Sequence, residues 1–313
     1  MAEHRLFFWQ RSLRIVVPAA VGFLAGISFP GVQAVSQKIV IPITLPMRQQ
    51  NVAPSTSETP VLIAQQNEAY KKVISKAVQA EKIRRLNSPL PVQFQGKMIH
   101  DVKLKSSEKG VQAGTAKPIA LTFDDGPWPQ TTAQVLDVLK KNNVKATFFV
   151  VGKQVEKYPQ LIKQTVADGH AIANHTWNHQ YHHYSPSAAS NEIDRTATLV
   201  YKLTGIKTSL FRPPAGILNN GLVAYAHQKK YATIMWSADS RDWRLQRSAP
   251  QAMIDNVLKE AKPGGIVLLH DGGGDRSKTI QALPQIITQL KKRGYKFVTV
   301  PELLEIGEKE STK

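Results

Sequence analysis

The 313-residue sequence predicts an α/β fold, built as a closed or nearly closed barrel of parallel strands. Three observations predict it. From residue 118 onward, apolar β-rich runs alternate with helix-like stretches seven times, the pattern of repeated strand–helix–strand units. The chemically unusual residues are not scattered over this pattern. "DDGP", "NHTWNH", "FRPPAG", "SADSRDW" and "LLHDGGG" each fall at the C-terminal end of a predicted strand. Side chains converging from one end of several strands are how a barrel builds a site, whereas an open doubly wound sheet uses mainly the point where its strand order reverses.

The predicted strands are "PIALTF" (118–123), "KATFFVVG" (145–152), "HAIANH" (170–175), "SLFR" (209–212), "YATIMWSAD" (231–239), "GGIVLLHD" (264–271) and "YKFVTV" (295–300). Each is a short β-branched or aromatic run of strand length. Between them lie "TTAQVLDVLKKN", "YPQLIKQTVADG", "SAASNEIDRTATLVYKLTG", "NNGLVAYAHQKK", "PQAMIDNVLKEA" and "TIQALPQIITQLKKRG", whose apolar residues recur at helical spacing, and "PELLEI" closes the pattern. No long-period repeat is visible. The main domain is expected over 117–306, with 307–313 as a C-terminal tail.

What precedes residue 117 has a different character. Arg5, Arg11 and Arg14 stand before the apolar run "IVVPAAVGFLAGISFPGV" at 15–32, and "VQA" ends at Ala34. A positive flank, an apolar centre and a small-residue site together read as an export signal over 1–34, or as an uncleaved membrane anchor, since a span tolerates Pro and Gly. Either places the rest outside the cytoplasm: periplasmic, secreted or envelope-associated. Residues 35–59, with "NVAPSTSETP", read as linker. Residues 61–86 have helical composition with a basic end and read as a spacer helix. Residues 91–117 alternate weakly, as in "VQFQGKMIHDVKLK", and are expected to add a hairpin before the main domain.

The formal charge is +18, from 41 Lys+Arg against 23 Asp+Glu. It is denser early: residues 1–120 hold 16 basic and 6 acidic side chains, and 121–313 hold 25 and 17. Such a balance raises an anionic wall polymer or membrane surface as partner. No helix-turn-helix, RNP or zinc-finger pattern accompanies it, so nucleic acid is not expected. With no cysteine there is no disulfide framework, no thiolate metal site and no lipidated N-terminal cysteine. The sequence does not address oligomeric state.

Each cluster has a chemical reading. In "HTWNH", His175 and His179 are four apart, so one helical turn or a tight turn after the strand puts both imidazoles on one side. Two imidazoles and one carboxylate suit Zn2+ or a similar divalent ion. Asp124 and Asp125 supply two carboxylates: one can bind the ion while the other, close by but not coordinated, takes a proton from water. His270 in "LLHD" can be a third ligand or a general acid. Asp242 in "SADSRDW" is its candidate partner, since a carboxylate on one ring nitrogen raises the imidazole pKa. Arg212 in "FRPPAG" can orient a carboxylate, form a structural salt bridge, or both. Trp243 can stack on a sugar ring or an acyl methyl, or pack under the barrel mouth.

In this order, "TFDDGP", "HTWNH", "RPPAG", "DSRDW" and "LLHD" resemble the five motifs of the polysaccharide deacetylase family, the NodB-homology group of carbohydrate esterase family 4. The resemblance covers about residues 117–300. It implies a distorted (β/α) barrel of about seven parallel strands, removal of acetyl groups from polysaccharides, and Zn2+ or another divalent cation such as Co2+. By the same resemblance, Asp124 is the general base, Asp125, His175 and His179 hold the metal, and His270 is the general acid. Arg212 braces Asp124 and Asp242 tunes His270. Pro213, Ala215, Trp243 and Leu268 form the substrate-binding set, Trp243 and Leu268 lining the pocket for the acetyl methyl. The implied enzyme is an N-deacetylase, a hydrolase of carbon–nitrogen bonds other than peptide bonds. Its N-acetylated substrate is peptidoglycan or a chitin-like N-acetylglucosamine glycan. An O-acetyl xylan esterase and an inactive wall-glycan-binding protein are the alternatives; the intact ligand, base and acid residues argue against the last. One position departs from the pattern: the third motif often has an aromatic residue before its glycine, and here that residue is Ala215. A backbone N–H survives the change; what the change puts in question is the shape of the groove.

Overall fold

In a computed structural model of the chain, residues 59–104, 117–244 and 249–312 are described. The export or anchor segment expected over 1–34 and all but the last residue of the linker expected over 35–59 lie outside the described residues. Among the described residues, no helix is long and apolar enough to cross a membrane.

The spacer helix is α1, Thr59–Leu86. Its C-terminal end docks on the main domain: Ile83 and Leu86 pack against the outer core, and Lys82 Nζ donates to the Ala167 carbonyl at 2.6 Å.

The sheet is organised around β2, Lys117–Asp124, which pairs in parallel with β3 (Thr147–Val150), β8 (Gly265–His270) and β9 (Tyr295–Val298). Beyond β3 follow β4 (Ala171–Asn174), β5 (Leu210–Phe211), β6 (Ala232–Ile234) and β1 (Met98–Ile99). Beyond β8 lies β7 (Ala238–Asp239), giving the order β1-β6-β5-β4-β3-β2-β8-β7 with every paired strand parallel. The expected strand "YATIMWSAD" is two strands. β6 pairs at one end of the sheet and β7 at the other, so Met235–Ser237 carries the chain across the gap that closes the barrel. The residues before β2 cross the same gap. Ile99 pairs with Ile234 while Asp101 bridges Gly265 and Val102 N–H bonds the Gly264 carbonyl at 2.9 Å. The one strand described in the region expected to form a hairpin, β1, is therefore a parallel staple of the barrel; residues 105–116 lie outside the described part.

Strand alternation sorts β2 into two faces. Ile119, Leu121 and Phe123 join the outer core under the helices, and Phe123 stacks on Phe148 with ring centroids 5.2 Å apart. Ala120 joins Phe149, Ala173, Leu210, Ala232, Ile234 and Ile266 in the barrel interior. The helices sit where the sequence places them: α2 (Thr131–Lys141), α4 (Pro159–Ala167), α5 (Pro186–Thr204), α6 (Leu222–Gln228), α7 (Pro250–Glu260) and α8 (Ser277–Lys292), with a short α3 (Gly152–Lys157) added. The last helix, α9, runs Val300–Ser311, past the boundary placed at 306, and starts with a Thr299–Glu302 capping box. Val300, Leu303 and Leu304 on its buried face pack on the interior cluster. All the strands point the same way, so their C-terminal ends meet at one mouth.

Candidate active site and metal centre

Asp124 is the last residue of β2, and its register partners are Phe149 on β3 and His270 on β8. Its side chain points inward, as those of Thr122 and Ala120 do two and four residues earlier. There it meets Arg212, which is fully buried at the barrel centre. Nη1 donates to Asp124 Oδ1 at 2.6 Å and to Thr122 Oγ1 at 2.9 Å. Nε donates to the Ile234 carbonyl at 2.8 Å and Nη2 to the Met235 carbonyl at 3.0 Å, and the guanidinium lies 4.0 Å over the Phe149 ring. A buried cation needs this full set of partners. Both readings of Arg212 therefore hold: it carries structure and it fixes Asp124. Oδ1 of Asp124 is taken, and Oδ2 is left facing the mouth, 3.8 Å from His175 Nε2.

Asp125 has φ 76°, so the chain leaves the pleat in the left-handed region at that residue. The second carboxylate thereby reaches the mouth by its own route. Its Oδ1 lies 3.0 Å from His179 Nε2 and 3.5 Å from His175 Nε2. His175 Nδ1 is 2.7 Å from the Arg212 carbonyl, which can only accept. A proton therefore sits on Nδ1, which leaves Nε2 as the nitrogen available to a metal ion. Asp125 Oδ1 is buried and has no hydrogen-bond partner. An orphaned carboxylate oxygen beside the ring nitrogens of two histidines fits a bound cation, and the three ligand atoms all lie within 4.8 Å of one another. The residues fit a divalent ion.

The turn that brings the two histidines together is strained, with φ 70° at Thr176 and φ 55° at His179. A residue that sequence reasoning missed holds it. Glu192, buried on α5, accepts from the N–H groups of Trp177 at 2.9 Å and Asn178 at 2.8 Å, and from Asn178 Nδ2. Asn174 adds a side-chain acceptor for Thr176 N–H at 2.9 Å. Glu192→Ala leaves the buried Trp177 N–H and the part-buried Asn178 N–H unpaired. It is expected to lower unfolding stability by about 2–4 kcal/mol and to weaken divalent-ion binding, checked by denaturant unfolding and Co2+ titration. Unchanged values of both would remove Glu192 from the account.

Across the mouth, His270 Nδ1 lies 2.7 Å from Asp242 Oδ1. Asp242 Oδ2 accepts from His270 N–H at 2.8 Å and Thr279 Oγ1 at 2.9 Å. Burial alone would push the His270 imidazole down; the Asp242 carboxylate outweighs it, Asp125 and Asp124 add to it, and the pKa is raised to about 9. The next residue, Asp271, points away from the mouth. Burial, with Asp125 and Asp124 adding, pushes its carboxyl up to about 7 against the hydrogen bond from Thr132. It packs so closely on the "DDGP" turn that a Cβ on Gly126 would lie 2.2 Å from its Oδ2, which is why glycine follows the paired aspartates.

These groups line one groove of about 620 Å³ at the barrel mouth, within the range of small-ligand sites. Asp124, Asp125, His175, His179, His270, Pro213, Ala215, Trp243 and Leu268 all line it, with Arg212 and Asp242 immediately behind. Trp243 is 47% exposed at the rim rather than packed beneath it. Trp128, Tyr181 and Trp236 also face the groove and were not singled out from sequence. Trp236 is hidden inside a run that reads as strand, and the other two follow motif residues without a spacing that marks them.

Comparison with known proteins bears on this arrangement. A sequence model of the family described as "Polysaccharide deacetylase" matches residues 112–234, stopping short of Asp242 and His270. A peptidoglycan-N-acetylglucosamine deacetylase of Bacillus cereus is 46% identical over 191 residues, 60% of this chain and 88% of that protein. The chain belongs to the polysaccharide deacetylase family. The resemblance read from the five motifs is therefore borne out, as is the enzyme class, a carbon–nitrogen hydrolase. Family members extend to the peptidoglycan-N-acetylmuramic acid deacetylase PdaC of Bacillus subtilis, 36% identical over 63% of this chain and 41% of that one. Among solved structures, the peptidoglycan N-acetylglucosamine deacetylase Bc1960 superposes with a TM-score of 0.61 at 32% identity, covering 68% of this chain and 95% of that chain. The family's barrel accounts for the parallel sheet, in which nine strands lie among the described residues where about seven were expected.

Proposed function

We propose that the chain is a divalent-cation-dependent N-deacetylase of wall glycans, hydrolysing the acetamide of N-acetylhexosamine units to acetate and a free amine. One observation carries the metal-dependent reading: the orphaned, buried Asp125 Oδ1 faces the Nε2 atoms of His175 and His179, while Arg212 turns Asp124 to a different task. The substrate class is supported by relatives that act on N-acetylglucosamine or N-acetylmuramic acid of peptidoglycan. The extracytoplasmic location read from residues 1–34 belongs to the same proposal, since such a substrate lies in the envelope.

Asp125, His175 and His179 would hold Zn2+ or a similar ion such as Co2+, which when bound supplies Lewis acidity at the acetyl carbonyl and makes water more acidic. Asp124 Oδ2, the free oxygen of a braced carboxylate, takes the proton of the attacking water. The Ala215 N–H, in the groove wall, donates to the carbonyl oxygen as it gains charge. Leu268 and Trp243 enclose the acetyl methyl. His270, kept protonated by Asp242, gives its proton to the departing nitrogen, so the amine leaves neutral.

Acetate release from purified peptidoglycan, N-acetylglucosamine oligomers and acetyl-xylan tests the reading. Release from the first or second, with little from xylan, is expected; release from xylan alone identifies an O-acetyl esterase, and release from none an inactive wall-binding member. The acid role has its own test. A general acid works while protonated, so activity falls as pH rises through its pKa. Asp242 is what raises that pKa, so Asp242→Asn is expected to move the alkaline limb of kcat down toward the ordinary histidine value of about 6.5. An unmoved limb would take the acid role from His270.

A further inference from the structure

The loop after β8 delivers a buried arginine that neither the motifs nor the reaction scheme uses. Arg276 stands at the N-terminus of α8 and is 4% exposed. Its three nitrogens go to three different segments. Nε donates to the Gly272 carbonyl at 2.6 Å and Nη1 to the Asp242 carbonyl at 3.0 Å. Nη2 lies 3.7 Å from Asp125 Oδ2. The approach is tight: a Cβ on Gly273, which has φ 72°, would lie 2.4 Å from Asp125 Oδ2 and 3.3 Å from Arg276 Nη2.

The two oxygens of Asp125 therefore face different partners. Oδ1 faces the imidazoles and Oδ2 faces the guanidinium. A fixed cation on one side of a carboxylate sets its rotation, so that one chosen oxygen is presented to the ion. The same guanidinium holds the backbone of Asp242, whose carboxylate aligns His270. One turn further along α8, Thr279 bonds that carboxylate directly. The start of α8 thus touches the ligand side and the acid side of the site together.

We propose that Arg276 is a positioning residue that couples the two halves of the site, directing Oδ1 of Asp125 at the ion and fixing Asp242, and through it His270, relative to that ion. This rests on the metal reading above. Charge and shape separate the two tasks. A lysine restores a cation beside Oδ2, but one ammonium does not reproduce the planar fork that spans two carbonyls.

The test uses the full chain, its Arg276→Gln and Arg276→Lys variants, and Co2+ as the probe. The readouts are the visible d–d spectrum, the Co2+ Kd, and kcat and KM for acetate release at saturating Co2+. For Arg276→Gln, a changed spectrum, a Kd weakened about 10–100-fold and a kcat lowered by a similar factor, with KM nearly constant, are expected. For Arg276→Lys, the wild-type spectrum and most of the affinity are expected to return, with kcat still about tenfold low. A folded Arg276→Gln variant with wild-type spectrum, Kd and kcat would overturn the inference alone. Should that variant fail to fold, Arg276→Lys decides: wild-type kcat overturns the coupling, and a low kcat under a wild-type spectrum supports it. A wild-type chain that binds no Co2+ would overturn the metal reading and this inference together.

Discussion

Asp124→Asn is expected to bind a divalent ion as tightly as the wild-type chain and to lose about 10²–10⁴-fold in kcat, the usual contribution of a positioned general base. The reason is geometric. Asp124 gives Oδ1 to Arg212 at 2.6 Å, and its Oδ2 is 3.8 Å from His175 Nε2, farther from that imidazole than Asp125 Oδ1 at 3.5 Å. An amide of the same shape can still accept from Arg212 through its oxygen. Its nitrogen then faces the mouth, where it cannot take a proton. Stability should change less than activity, because the Arg212 cluster keeps its carbonyl and Thr122 partners. The check is Co2+ or Zn2+ titration beside single-turnover acetate release. A near-normal rate would end the base assignment.

The second large effect falls on the neighbouring residue and is of a different kind. Asp125→Ala and His179→Ala each remove a ligand atom from the set lying within 4.8 Å. Losing residues that only support a ligand costs about 10–100-fold in metal affinity, and losing a ligand itself is expected to cost at least that. Activity should fall to background at ordinary ion concentrations, and a large excess of ion should recover part of it. Asp125→Ala carries a further cost, since alanine must occupy φ 76°. His179→Ala also sits at a positive φ, 55°, so thermal unfolding belongs beside both titrations. Full activity in a carefully demetallated Asp125→Ala, His179→Ala double variant would remove these residues from metal binding. Adjacent positions in sequence thus predict opposite outcomes: one variant with ion and no turnover, the other with neither.

This constellation was legible because the chemistry restricts residue type at the end of each strand. Paired carboxylates, a His-x3-His turn, a Pro-Pro arginine and a His-Asp end to an apolar run are each weak alone. Their common place at strand ends made them one site. The register of Asp124 beside His270 on β2 and β8 is the physical form of that coincidence. What escaped has physical reasons too. Glu192 acts from the middle of a helix, where an acid reads as solvated surface, and only the tertiary fold shows the two N–H groups it receives. Arg276 follows three glycines and an aspartate in a loop, with no periodicity to set its side chain inward. The β1 strand has two residues, too few for any alternation, and exists because the barrel gap must be crossed. The break of "YATIMWSAD" into β6 and β7 has the same origin, since one strand cannot pair with both ends of the sheet.

That the cluster of Asp125, His175 and His179 makes this chain an ion-dependent deacetylase is the proposal on which the other roles rest. It is tested most directly by acetate release from purified N-acetylated peptidoglycan, using protein stripped of metal and then reloaded with one equivalent of Zn2+ or Co2+. Background release is expected from the stripped protein, with recovery on reloading for the wild-type chain but not for Asp124→Asn. Full release by the stripped protein, or equal recovery by Asp124→Asn, would contradict it.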